Sequence, residues 1–203
     1  RERGITIKMA PVRMNYRPRQ IANSKSQINK PLALSPLQNS EFILNLIDTP
    51  GHSDFSYEVS RALKAVEGAI LLVDAAQGIQ AQTLANLEAA KRAGLKIIGV
   101  LNKIDLLPVG LDGLQIELAE LIGVNPEEIH RVSGKTGEGV EDLLSDVVRL
   151  VPPPSPAVAG YNREGGLSPK AALIFSSLYD DHKGVIAFVR VFGGEFKRDT
   201  LTT

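Results

Sequence analysis

Asp48-Thr49-Pro50-Gly51-His52 follows an apolar run and brings an acid, a residue without a side chain and an imidazole within five positions. An Asp in that place suits a Mg2+ held through its water shell, because the ion prefers hard oxygen ligands and keeps most of its waters. Gly51 lets a backbone N–H approach a phosphate oxygen closely, and His52 would then face the terminal phosphate. A plain strand-to-helix turn, with Asp48 and Thr49 capping, would account for the same residues. Asn102-Lys103-Ile104-Asp105 follows a second apolar run. The Asp105 carboxylate can accept from both N1–H and the exocyclic N2–H2 of guanine. Adenine offers an acceptor at N1 and no N2 group, and would leave the carboxylate unpaired. The Lys103 stem can lie along a base plane and Asn102 can tie the loop to its neighbours; a polar turn is the alternative. Ser133-Gly134-Lys135-Thr136-Gly137 closes a third apolar run. It is either a turn whose backbone N–H groups could donate to guanine O6 or a plain loop before a helix.

These stretches need a scaffold that sets them side by side. From Phe42 the hydrophobic pattern predicts strand then helix, repeatedly: a strand over 42–47, a helix over about 54–65, a strand over 69–74, a helix over about 81–93 and a strand over 96–102. A helix over 111–122, a short strand over 129–132 and a helix over 140–151 follow. Short apolar strands alternating with amphipathic helices imply crossover connections and a mainly parallel sheet covered on both faces. In such sheets ligands bind beyond the carboxyl ends of the strands, which singles out the residues after Ile47, Val73, Leu101 and Val132. Before residue 42, Ile5, Ile7, Met9 and Val12, Met14, Tyr16 alternate, with an interruption at Pro11, as in a strand with one solvated face. Residues 17–40 read as a loop. Pro152-Pro153-Pro154 through Pro169 form a linker, and 171–178 with 185–192 around Asp180-Asp181-His182-Lys183-Gly184 predict a hairpin that begins a β domain. The expected division is 1–151, linker 152–169, and 170–203 as the start of a second domain.

The chain has 203 residues with 43% hydrophobic and 23% charged, an ordinary globular composition. Lys and Arg together number 23, as do Asp and Glu, so no uniformly basic surface advertises nucleic acid. Residues 1–40 nevertheless hold eight basic residues against one acid, net +7, leaving −7 for the rest. The absence of Cys excludes a disulfide framework, a thiolate metal site and a Cys nucleophile. No apolar run approaches a membrane span and nothing resembles a signal peptide, so the expected location is cytoplasmic. The opening on Arg1 and the close on Thr203 suggest a fragment.

The residues taken together resemble a translational GTPase of the LepA (elongation factor 4) family. Arg3-Gly4-Ile5-Thr6-Ile7 is similar to the switch I segment of translation factors, Asp48 to His52 to switch II, Asn102 to Asp105 to the guanine-specificity motif and Ser133 to Lys135 to the last guanine loop. The particular family rests on Asp54 to Arg61, on Val73 to Asn86 and on Asp180 to Arg190, the last like the start of its β-barrel second domain. The loop over 17–40 is longer than the resemblance implies. The implied fold is a P-loop-type GTPase domain followed by the start of a β-barrel. The implied ligands are GTP or GDP with Mg2+ held by Thr6 and, through water, by Asp48. Gly51 would sense the γ-phosphate and His52 would orient the attacking water on the ribosome. Asn102, Lys103, Asp105, Ser133, Gly134 and Lys135 would hold the base, and Ile5 would help gate His52.

A phosphate-binding loop of the form Gly, four residues, Gly-Lys-Ser/Thr is absent: none of the glycine pairs 94/99, 134/139 and 160/165 is followed by Lys. In the family this loop follows the first, central strand, so both are expected to be missing, and the isolated piece is expected to fold poorly with apolar strand edges exposed. The implied partners are the ribosome, both rRNA and proteins, and its tRNA-bearing complexes, but not DNA. The protein is expected to be a monomer, with peripheral attachment to the cytoplasmic face of a membrane left open. Arg13, Arg17, Arg19, Lys25 and Lys30 either contact rRNA phosphates or belong to a solvated loop. His130, His182, Glu117, Glu120, Glu127 and Glu128 read as ordinary polar residues. A translocase-type elongation factor and a non-hydrolysing ribosome-binding module are the competing readings.

Overall fold

The structure, a computed structural model, describes residues 9–18, 40–49, 56–106, 109–154 and 171–193. Its centre is a parallel sheet in the order β3-β4-β5, formed by β3 (Gly68–Asp74), β4 (Lys96–Asn102) and β5 (His130–Arg131). The helices α2 (Ala81–Arg92), α3 (Leu111–Ile122) and α4 (Val140–Leu150) connect or follow these strands. In the middle strand, residues of both faces are buried. Leu101 joins Leu71, Val73, Leu87, Leu118, Ala119 and Ile129 on the side of α2 and α3. Ile98 and Val100 join Val132 and Leu143 on the side of α4. Burial on both faces is why Lys96–Asn102 reads as an unbroken apolar run rather than an alternating one.

Strand β3 is an edge of this sheet among the described residues, and its faces differ. Leu71 and Val73 are buried, whereas Ile70 and Leu72, which share a face with Ile98 and Val100, are 36% and 56% exposed. A second sheet holds β1 (Ala10–Tyr16) antiparallel to β2 (Phe42–Asp48), with Ala10 opposite Asp48 and Tyr16 opposite Phe42. The two sheets are not hydrogen-bonded to each other among the described residues. Strand β1 runs straight through Pro11, where an interruption was expected, because a strand paired on one side tolerates a missing N–H. At its end, buried Tyr16 is anchored to α4, with its hydroxyl 3.0 Å from Glu141 Oε1 and 2.8 Å from Ser145 Oγ. Burial, outweighing the hydrogen bond shared with Ser145, raises the Tyr16 hydroxyl above its ordinary pKa of 10.0.

The helix expected over 54–65 is α1 (Ser56–Leu63), with residues 54 and 55 outside the described ones. The expected hairpin is present as β6 (Ala171–Asp180) and β7 (Gly184–Gly193). It packs on α1: Met9, Ala62, Ala65 and Phe175 form one buried cluster with Ile47, Leu173 and Phe188 against it. Arg190 of β7 donates to the Ala65 carbonyl at 2.9 Å and forms a two-pronged ion pair with Glu67. No described helix is long and apolar enough to cross a membrane.

Candidate nucleotide-binding site

The carboxyl ends of β3, β4 and β5 lie side by side because the strands are parallel and in register, Asp74 opposite Asn102 and Leu101 opposite Arg131. The chain after each strand therefore emerges at one edge. A hollow of about 320 Å3 opens there, lined by Asn102, Lys103, Asp105, Leu106, Gly134 and Lys135. The two stretches singled out after β4 and β5 thus meet, although 28 residues separate Asp105 from Ser133.

Two side chains hold the walls together. The Asn102 carboxamide oxygen accepts from Lys103 N at 2.8 Å and from Gly134 N at 3.0 Å, joining the two loops. Ser133, fully buried, donates its hydroxyl to Asp105 Oδ1 at 2.7 Å and accepts from Thr136 N at 3.1 Å. Lys103 adopts a left-handed backbone, φ 66°, the one non-glycine residue among those described to do so. A side chain there costs about 1 kcal/mol or more, and such residues cluster at ligand clamps. The short helical turn Ile104–Leu106 follows, with Asp105 exposed on it.

Within the loop from Ser133 to Glu138, backbone N–H groups are largely committed. Ser133 donates to Glu138 O, Gly134 to Asn102, Thr136 to Ser133 Oγ, Gly137 to Ser133 O and Glu138 to Thr136 Oγ1. The N–H of Lys135 has no acceptor among the described residues. Gly139 then turns the chain into α4 at φ 70°, and a Cβ there would run into the Arg131 carbonyl.

Asp48 ends β2, in the other sheet. Thr6, Gly51 and His52 lie outside the described residues, as do Ile5, Arg19, Lys25 and Lys30. Arg13 is exposed on β1, and Arg17 pairs with Glu41 at 3.1 Å. His182 is exposed in the hairpin turn, and Glu117, Glu120 and Glu127 are exposed as expected. Glu128 instead accepts from Asn125 N at 3.1 Å, and His130 sits 3.1 Å from Asp146. One residue at the site had no role in the sequence reading. Asp74, at the carboxyl end of β3, accepts from Lys103 Nζ at 2.6 Å. The sequence points to its place, directly after Val73 at a strand's carboxyl end, but not to its partner.

Comparison with known proteins gives the same picture. The model of the family described as "Elongation factor Tu GTP binding domain" matches residues 1–153. Elongation factor 4 of Thermobifida fusca is 52% identical over 195 residues, which is 96% of this chain and 28% of that protein. Elongation factor 4 of Mycobacterium tuberculosis is 51% identical over 195 residues, 96% of this chain and 26% of that protein. Among solved structures, that of a bacterial selenocysteine-specific elongation factor, EF-Sec, matches with TM-score 0.64 and 26% identity over 96% of this chain and 29% of the other. The chain spans about a quarter of the length of the curated relatives it matches, and the resemblance to LepA-type factors is borne out. With α/β strands presenting a two-loop hollow at their carboxyl edge and a family match that covers residues 1–153, the chain belongs to the elongation factor Tu GTP-binding domain family.

Proposed function

We propose that the chain is the guanine-nucleotide-binding part of a ribosome-associated translation factor that hydrolyses GTP to GDP and phosphate. The observation that carries the reading is the hollow in which Asn102, Lys103 and Asp105 meet Gly134 and Lys135. Its donors and acceptors suit guanine. Asp105 is exposed at the rim and supplies a carboxylate for N1–H and N2–H2. The Lys135 N–H is the loop's uncommitted donor for O6. The Lys103 stem covers the base plane. Adenine reverses the pattern at N1, so the same groups reject it.

Hydrolysis is assigned to residues on the phosphate side. Thr6 and Asp48 would hold Mg2+, Asp48 through water; a single carboxylate at a strand end fits an ion that keeps most of its waters. Bound there, Mg2+ would supply charge neutralisation on the phosphate oxygens. Gly51 would hold the γ-phosphate by its N–H, and His52 would orient the attacking water. This is catalysis by positioning and electrostatics, since phosphoryl transfer asks for little covalent chemistry. Residues 1–151 form the GTPase domain, 152–169 the linker and 170–203 the first part of a β-barrel domain. In the full-length protein the bare face of β3, Ile70 and Leu72, would be covered by further structure. The factor works as a monomer in the cytoplasm on tRNA-bearing ribosomes, acting in elongation or in ribosome assembly.

The test is binding of GDP and ADP to the full-length protein, then GTP turnover with and without ribosomes. Guanine-selective binding with ribosome-stimulated turnover that collapses in His52→Ala is the expected result. No nucleotide binding would refute it and leave a ribosome-binding module.

A further inference from the structure

Asp74 ends β3 directly opposite Asn102, and the two strand ends are tied by Ala75 N donating to the Asn102 carbonyl at 2.8 Å. Its carboxylate is engaged from two sides. Oδ1 accepts from Ala76 N at 2.9 Å, while Oδ2 accepts from Gln77 Nε2 at 3.1 Å and from Lys103 Nζ at 2.6 Å. The last contact reaches across to the loop after β4. Lys103 needs such a hold. Its backbone is left-handed and its side chain about half exposed, at 49%, whereas that of Asp74 is 20% exposed. A lysine with a free ammonium samples many rotamers and makes a poor wall.

We infer that Asp74 is a positioning residue of the base site: by holding the Lys103 ammonium at the end of β3, it fixes the Lys103 stem as one wall of the hollow. The assignment rests on reading that hollow as the guanine site. The Lys103 hydrogen bond, opposed by burial and helped by the turn N–H groups, holds the Asp74 carboxyl below its ordinary 3.8, so the carboxylate is charged throughout the neutral range. The role differs from that of Asp105, which would touch the base; Asp74 acts only through Lys103.

The experiment is a double-mutant cycle in the full-length protein with GDP affinity and GDP dissociation rate as readouts. Asp74→Asn keeps an oxygen for the Ala76 N–H, so the turn after β3 survives, but removes the charge that holds Lys103. Lys103→Met keeps an apolar stem and removes the ammonium. Asp74→Asn should weaken GDP binding about fivefold in the wild-type background and change it by no more than about twofold when Lys103→Met is already present. Asp74→Glu should recover part of the loss. Equal losses in both backgrounds would overturn the assignment and make Asp74 a turn cap; no loss in either would also overturn it. If GDP binds no better than ADP before any substitution, the base-site reading falls, and the assignment falls with it.

Discussion

Ser133→Ala isolates a hydroxyl that no water can replace, because Ser133 is fully buried. The change removes the hydrogen bond given to Asp105 at 2.7 Å and the one accepted from Thr136 N at 3.1 Å. A hydrogen bond to a charged group contributes about 1.5–3 kcal/mol and an ordinary one about 1 kcal/mol. The Asp105 carboxylate is exposed, so water recovers part of the first loss on that side. We therefore expect about 1–2 kcal/mol to reach ligand binding, a five- to thirtyfold rise, roughly, in the GDP dissociation constant. Titration calorimetry on the full-length protein reads it, with urea unfolding run in parallel to separate a local loss from a global one. An affinity within about twofold of wild type, in a variant that remains folded, would refute the argument that this hydroxyl orients the base-reading carboxylate.

Three further outcomes are expected. Asp105→Asn replaces two acceptors by an amide whose NH2 faces the base edge, so the variant should lose GDP affinity and gain affinity for xanthosine diphosphate, which carries an oxygen at C2; competition binding checks the exchange. Gly139→Ala puts a methyl against the Arg131 carbonyl at a left-handed position, and should destabilise by about 2–4 kcal/mol in chemical unfolding. Burial pushes the Asp146 carboxyl up, but the His130 and Arg149 partners outweigh it and hold it below 3.8. Its contribution is therefore complete above the ordinary carboxylate range and is lost as the pH falls through the folded value. The urea midpoint should drop more steeply between about pH 4 and pH 2 in the wild type than in Asp146→Asn.

Elements whose limits are set locally were legible in the residues. The helix over 111–122 was read to the residue, because its apolar face is bounded by Gly110 and Gly123, both left-handed in the structure. Strand β5 was read as four residues and is two, with His130 opposite Val100 and Arg131 opposite Leu101; Val132 still donates its N–H to the Leu101 carbonyl at 2.8 Å, but the Ile129 N–H turns back to Pro126 at 3.1 Å. Pairing partners are not local, so no pattern in 129–132 could mark that limit. The meeting of the loops after β4 and β5 followed from the parallel sheet alone. The roles inside the hollow did not: turn geometry spends the Gly134 N–H on Asn102 and uses the Ser133 hydroxyl as a brace. The place of Asp74 at a strand end was legible, but its hold on Lys103 was not, because that partner lies 29 residues further along.

The seat of the hairpin on α1 has a mechanical side. Arg190 clamps β7 to the carbonyl of Ala65 and to Glu67, just beyond the end of α1, and from Arg190 back to Gly184 the strand extends about 20 Å. The strand is thus a lever pivoted at the helix end. A tilt of α1 by about 5° would carry the turn at Asp181 to Lys183 through about 2 Å, so a small motion at the helix becomes a displacement large enough to make or break a hydrogen bond at the far tip.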